Sequence, residues 1–312
     1  MTVFAVCDIE TTGLDPNDDA VIEIACADVV NGSLDYPPRC AWVFPGRDIS
    51  PEASAVHHII NKDVEHAPPA KEIIPEILKL EREDVIYVAH NCSFEQSFLH
   101  HYLPADARWL CTYKAALRVW PELPSHSNQA LRYYLDLQVN RQIADQAHRA
   151  APDAYVTAHL LCELVKHASV EDMLIWAKEP PLLPVCPIGK KQGWNGKPWS
   201  KIDKGFLQWM IDEEDMDPDL KWNAQHELDL RAVRMREAYV LGASAAIRTA
   251  RTVEDLNAWW VDPKCKDHRK LHKITEGTPE YAKLVEMCAK KKSDLLAGVE
   301  EKLRPAERKM AA

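Results

Sequence analysis

The sequence has 312 residues, 46% of them hydrophobic and 28% charged. That balance belongs to a folded globular chain rather than a wholly disordered one, and the length predicts about two domains at roughly 150 residues each. Lys and Arg number 38 against 48 Asp and Glu, a net charge of −10, which argues against coating nucleic acid by bulk charge but leaves open an enzyme that holds it through metal ions.

Residues 3–9 form a short apolar run, and so do residues 20–30. The cluster Asp15-Pro16-Asn17-Asp18-Asp19 between them is a turn, so two strands are expected. A third strand is expected over residues 40–44, ahead of Pro45-Gly46. Ser50-Pro51-Glu52 has the form of an N-cap with proline at the first helical position, opening a helix through His57. Ile73, Ile77 and Leu80 are spaced for one helical face. Residues 85–89 predict a fourth strand, residues 93–102 a helix and residues 108–111 a fifth strand. Helices follow near residues 114–119, 128–135 and 153–167. Three strands followed by strand–helix alternation imply an α/β fold, a mixed five-stranded sheet flanked by helices.

Residues 179–187 hold four prolines, a stiff connection. The expected division is a first domain over residues 1–168, a Pro-rich linker over 169–184, a small Gly/Lys/Trp module over 185–238 and a helical, basic extension over 239–312. Residues 1–168 carry 13 Lys and Arg against 24 Asp and Glu, whereas residues 239–312 carry 15 against 11. No apolar run approaches the roughly 18 residues of a membrane span, so no membrane partner is expected. Residues 1–8 lack the basic start of a signal peptide. The nine cysteines show no CxxC spacing, which speaks for reduced thiols, a cytoplasmic location and no structural zinc.

Asp8 and Glu10 stand two apart at the end of the first strand, so both side chains point to one face. Two carboxylates on one face repel unless a cation lies between them. Alone, such a pair is more often a polar strand end in water. Glu95 falls in the first turn of a helix, where an acid usually just favours the helix dipole. His148 and Asp153, five residues apart, would singly be a surface histidine and an N-cap.

Together and in this order the segments are specific. Asp8-Ile9-Glu10-Thr11-Thr12-Gly13, His90-Asn91-Cys92-Ser93-Phe94-Glu95 and His148 followed by Asp153 resemble the three motifs of the DnaQ-like, DEDDh family of 3′→5′ exonucleases. Ile49-Ser50-Pro51-Glu52-Ala53 with His57, and Asp153-Ala154-Tyr155-Val156-Thr157-Ala158, strengthen the likeness, which covers residues 1–168. The resemblance implies an RNase H-like fold. It implies Asp8, Glu10, Glu95 and Asp153 as carboxylates for two Mg²⁺ ions, with Mn²⁺ as a substitute, and His148 as general base. Hard oxygen ligands suit both metals. Thr11, Thr12, Leu14, His57, Asn91 and Phe94 are the expected contacts of the 3′ nucleotide, Phe94 being equally a core residue. The family normally has Asp where this chain has Glu95. The extra methylene moves the carboxylate by about one bond, which Mg²⁺ tolerates less readily than Mn²⁺.

The implied activity is hydrolysis of DNA from 3′ ends to nucleoside 5′-monophosphates. RNA trimming by the same fold is the near alternative, since sensing a 2′-OH depends on pocket shape. A catalytically weak nucleic-acid-binding accessory protein is the alternative from another class, pointed to by Glu95 and the basic C-terminus. The segment from Pro187-Ile188-Gly189-Lys190-Lys191 to Gly196-Lys197-Pro198-Trp199 is similar to a module that follows the nuclease domain in one branch of the family. Lys190, Lys191, Lys197, Lys201 and Lys204 with Trp194 and Trp199 suit backbone contact and base stacking, or a small tryptophan-packed core. Lys290-Lys291-Lys292 and the basic tail suit DNA contact or a solvated face. A homodimer is compatible with the sequence, which fixes neither protein partners nor a bacterial or phage origin.

Overall fold

The computed structural model describes residues 2–35 and 37–310, with side chains described up to residue 297. The chain divides into two compact units, Met1–Pro198 and Trp199–Ala312. That division falls inside the stretch expected to form the small module.

In the first unit, β1 (Val3–Thr11) is central. It pairs antiparallel with β2 (Val21–Val30), in register from Val3 opposite Val30 to Glu10 opposite Glu23. The two-residue strand β3 (Ser33–Leu34) and β4 (Arg39–Trp42) both pair with β2. On the other side β1 runs parallel to β5 (Val85–Ala89), which runs parallel to β6 (Arg108–Cys111). The sheet is therefore mixed, as expected, with β3 added to the five predicted strands as a sixth. β3 is too short to leave an alternating pattern in the sequence.

Side-chain alternation along β1 sorts the two faces. Ala5, Cys7 and Ile9, with Ile24 and Cys26 of β2, pack under Ile74, Leu78, Phe98 and Leu99. Val6, with Ala27 and Val29, packs under Leu131, Ala158, Leu161 and Leu164. Asp8 and Glu10 share the Val6 face by the same alternation. That face is covered by the helix Ala150–Leu164. Ala25, directly opposite Asp8, meets Ala150 and Ala154, and all three are fully buried. Three side chains of one carbon each let the first turns of this helix close down on the strand beside Asp8.

Local chemistry sets the element ends. Ser50 caps Pro51–His57 by accepting from Ala53 N–H at 3.0 Å. Ser127 does the same for Asn128–Tyr134 through Ala130 N–H. The helix after β5 is Ser93–Leu99, three residues shorter than expected. The helix bearing Asp153 starts at Ala150, so Asp153 lies in its first turn rather than opening it. Pro152 is tolerated there because first-turn N–H groups have no helical partner.

The second unit is helical. Asp203 caps Lys204–Asp212. A 32-residue helix, Pro218–Thr249, starts at the cap Asp217. Helices Val253–Val261, Pro263–Leu271 and Pro279–Met310 follow. Their core is Val240, Ala243, Ile247, Leu256, Ile274 and Leu284, with Trp259 and Trp260 partly buried against it. Among the described residues no helix is long and apolar enough to cross a membrane.

Two readings left open for the basic segments narrow. Trp199 is only 6% exposed, so it is interior and not offered to a base. Lys291 donates to Arg248 O at 2.9 Å, near the C-terminal end of the long helix, where orphan carbonyls accept such a donor. Lys190, Lys191, Lys197, Lys201, Lys204, Lys290 and Lys292 are exposed. The basic side chains of the tail, Lys302, Arg304, Arg308 and Lys309, lie outside the described residues.

Candidate active site

β1 and β5 are parallel, and both run toward the same end of the sheet. Asp8 and Glu10 sit at that end of β1, and Glu95 lies on the helix that follows β5. Asp153 arrives from the helix over the Val6 face. In open α/β sheets the carboxyl ends of parallel strands are where ligands bind, because the connecting segments diverge there.

Asp8, Glu10 and Asp153 each offer an oxygen within 4.8 Å of the others. Glu95 stands outside that set of three, yet its charge acts on Asp8. Glu95 is 3% exposed, and its Oε2 has no hydrogen-bond partner among the described residues. A buried carboxylate oxygen left unpaired costs free energy unless something absent from the protein pairs with it. Burial first, then the charges of Asp153, Glu95, Glu10 and Glu23, pushes Asp8 well above the usual carboxylate range. Burial and Asp153 push Glu10 to about 8, and burial pushes Glu95 to about 8. Asp153 is raised by burial, against hydrogen bonds from Gln129 and His148 that favour its charged form. Crowded, desolvated carboxylates of this kind fit a divalent cation, which would reverse every one of these shifts. A hard, oxygen-only donor set is that of Mg²⁺, Mn²⁺ or Ca²⁺ rather than zinc.

His148 has a left-handed backbone, φ +60°. This turn aims its N–H at Asp153 Oδ2, 2.7 Å away. Its imidazole is exposed. Gln129 donates to the other oxygen, Asp153 Oδ1, at 3.0 Å.

Glu23 and Arg149 were missed as site residues. Arg149 Nε and Nη2 donate to Glu23 at 3.0 and 2.7 Å, and Ala150 N–H donates to it at 2.9 Å. This charged fork fixes the start of the Asp153 helix to β2. It also neutralises Glu23, which lies directly opposite Glu10. The available signal was an acid inside the apolar run 20–30, since a charge in a covered strand needs a partner.

A cavity of about 320 Å³ adjoins the carboxylates, lined by Glu10, Thr11, Leu14, His57 and Phe94 among others. Leu14 is 83% exposed. Phe94 both lines the cavity and rests on the core, its ring 5.0 Å from that of Phe98. His57 Nδ1 accepts from Ile59 N–H at 3.0 Å. Burial lowers its imidazole, so the neutral ring carries its proton on Nε2. That Nε2 is buried without a partner among the described residues. Four of the six expected nucleotide contacts thus meet at one cavity. Thr12 and Asn91 are not among its lining residues. The Thr12 hydroxyl donates to Asp19 Oδ1 at 2.8 Å and accepts from Ala20 N–H at 3.0 Å, closing its own turn. A Cβ on Gly13 would come within 2.4 Å of the Asp19 carboxylate, so a side chain there would push Asp19 off the Thr12 hydroxyl and Asp15 N–H that it accepts from. Asn91, exposed and at φ +70°, shapes the junction between β5 and its helix.

The family described as Exonuclease (RNase_T) matches residues 5–161. The chain belongs to that exonuclease family. Membership in the DnaQ-like group, expected from the three ordered motifs, is thereby established. Exodeoxyribonuclease 10 of Escherichia coli strain K12 is 34% identical over 227 residues, spanning 72% of this chain and 98% of that protein. DNA polymerase III subunit epsilon of Treponema pallidum is 30% identical over 174 residues, spanning 53% of this chain and 77% of the relative. A solved structure of exonuclease X in complex with 5′ overhanging duplex DNA superimposes with a TM-score of 0.48 at 34% identity, covering 57% of this chain and 99% of that one.

Proposed function

We propose that this chain is a 3′→5′ exodeoxyribonuclease that releases nucleoside 5′-monophosphates from DNA ends. The observation that carries the reading is the convergence of Asp8, Glu10 and Asp153 beside His148 and an adjoining cavity. Asp8, Glu10 and Asp153 would hold Mg²⁺ or Mn²⁺, and Glu95 would serve a second ion with its unpaired Oε2. Bound divalent ions lower the pKa of water and shield charge on the phosphoryl and leaving oxygens. The protein supplies the rest. A ring nitrogen of His148, on the turn whose N–H holds Asp153, takes the proton of the attacking water. The Arg149–Glu23 fork keeps the turn bearing His148 over β2. The exposed Leu14 and the Phe94 ring give the terminal nucleoside apolar surfaces, and His57 lines the same cavity.

The length of the match to an exodeoxyribonuclease, nearly the whole of that relative, supports DNA as the substrate. Digestion of matched 3′-labelled DNA and RNA oligonucleotides with Mg²⁺ or Mn²⁺ tests the proposal. Labelled nucleoside 5′-monophosphate released from DNA, and lost in Asp8→Ala, is the expected result. No cleavage of DNA with either metal would overturn it.

A further inference from the structure

Asp153 has both carboxylate oxygens engaged by the protein. His148 N–H reaches Oδ2 at 2.7 Å, and Gln129 Nε2 reaches Oδ1 at 3.0 Å. A backbone donor fixes one oxygen simply by the shape of its turn. A glutamine is different, because its amide can flip and present oxygen instead of nitrogen. Here the flip is decided by Arg132. Its Nη1 donates to Gln129 Oε1 at 3.2 Å. Arginine has no acceptor atom, so the Gln129 atom facing it is oxygen and the atom facing Asp153 is the NH₂ group. Arg132 is itself 4% exposed and anchored twice more, to Ala144 O at 2.7 Å and to Asp145 at 2.6 Å. Asn128, next to Gln129, donates to Asp153 O and to the Thr157 hydroxyl, both at 3.1 Å, tying the two helices together at this level.

We propose that Gln129 is a positioning residue for Asp153, oriented by Arg132, and that this relay sets the carboxylate plane presented to the divalent cation. The inference rests on the proposed metal-dependent activity. A hydrogen bond to a metal-ligating carboxylate fixes its rotamer before the ion arrives, and loss of such a partner typically weakens metal binding or activity by about 10–100-fold. The relay also runs outward, from the site through Gln129 and Arg132 to the short helix Arg141–Ala144, whose last carbonyl Arg132 holds. That helix lies just ahead of the His148 turn in the chain. One arginine therefore orders both the Asp153 partner and the segment that leads into His148.

The test compares wild type, Gln129→Met and Gln129→Glu. Methionine keeps the length and shape of the side chain but removes the donor. Glutamate keeps the size and sets an acceptor against Asp153 Oδ1. Calorimetric Mn²⁺ titration without DNA, single-substrate kinetics on a DNA oligonucleotide and melting temperature are measured for each. For Gln129→Met we expect an unchanged melting temperature, Mn²⁺ affinity lower by about 10-fold, kcat lower by a similar factor and KM for DNA unchanged. Gln129→Glu should be weaker still, despite its near-identical volume. Wild-type Mn²⁺ affinity and kcat in a folded Gln129→Met would overturn the relay while leaving the proposed activity intact. A loss in Gln129→Met that merely follows a fallen melting temperature would make the residue structural and also overturn it. A wild type that neither binds Mn²⁺ nor cuts DNA would remove the proposed function, and the relay with it.

Discussion

Asp28 and Asp8 stand on neighbouring strands of one sheet, and their surroundings could hardly differ more. Asp28 is 4% exposed and meets two guanidiniums. Arg39 grips it at 2.7 and 3.0 Å, and Arg82 at 2.9 and 3.1 Å. Burial alone would raise its carboxyl, but Arg39 and Arg82 hold it below the usual range. Asp8 faces Asp153, Glu95 and Glu10 instead, and is driven up. The first acid is neutralised from within and locks β2 to β4 and to the segment before β5. The second is left to a cation that the chain does not provide. Internal charge compensation separates a buried acid that serves the fold from one that serves chemistry.

Amide substitutions at the two acids should have opposite effects. Asp8→Asn should cost at least the roughly 10²–10³-fold that loss of one transition-state electrostatic contact costs, measured as kcat on a DNA oligonucleotide. In metal-free buffer at alkaline pH, where the clustered carboxylates ionise, the same variant should melt at a higher temperature than wild type, because one repelling charge is gone. A lower metal-free melting temperature would show that Asp8 serves the fold after all. Asp28→Asn should do the reverse. It should destabilise by about 2–3 kcal/mol, less than the ~3–5 kcal/mol of a fully buried pair, because both guanidiniums keep 23% of their surface. Denaturant unfolding measures this, and Mn²⁺ affinity should not change.

The open carboxylate cluster and the neutralised Asp28 also predict opposite responses to pH. Glu10 and Glu95 have folded values of about 8, well above the unfolded reference near 4.3. Their contribution to metal-free stability is fully present below about pH 4 and is lost as pH rises toward 8. Asp28 is depressed, so its contribution is present above its unfolded value near 3.9 and is lost only as pH falls through the folded value. In a chelator, melting temperature should therefore fall between pH 5 and pH 8. Saturating Mn²⁺ should flatten that slope, and a slope unchanged by Mn²⁺ would separate the carboxylates from metal. The smallest expected effect is that of Glu95→Asp. Shortening the side chain to the residue usual in the family should raise the Mg²⁺-supported rate relative to the Mn²⁺-supported rate by a few-fold, about 1 kcal/mol or less. An unchanged ratio would show that Glu95 does not set metal preference.

Much of this was legible from local pattern. Short apolar runs marked β1, β2, β5 and β6, and Ser50-Pro51 marked a helix start, because strands and caps are written over a few consecutive residues. The order of Asp8, Glu10, Glu95, His148 and Asp153 marked the family. The Arg149–Glu23 fork closes over 126 residues and the Arg82–Asp28 pair over 54. Neither leaves a periodic trace, since any of the 38 Lys and Arg could have answered either acid. Trp199 read equally as a stacking surface among lysines or as part of a small core, and only packing decides which face of a tryptophan meets water. Gln129 leaves no signal in the sequence, because its role depends on two partners that the fold delivers.

By itself the sequence determined the chemistry on offer: four carboxylates and a histidine, in the order of an exonuclease, on a sheet flanked by helices. It did not show that much of the linker expected over residues 169–184 is the helix Val170–Lys178, whose Met173 is buried in the core of the first unit. Only the tertiary structure decided which acids are satisfied and which are left open. It brought Asp153 down beside Asp8 through the three alanines Ala25, Ala150 and Ala154. It gave Glu23 and Asp28 their arginines, and left Glu95 with an oxygen facing nothing among the described residues. The reason is physical. A carboxylate's charge state is set by what surrounds it within a few ångströms, and those neighbours come from parts of the chain that only folding brings together.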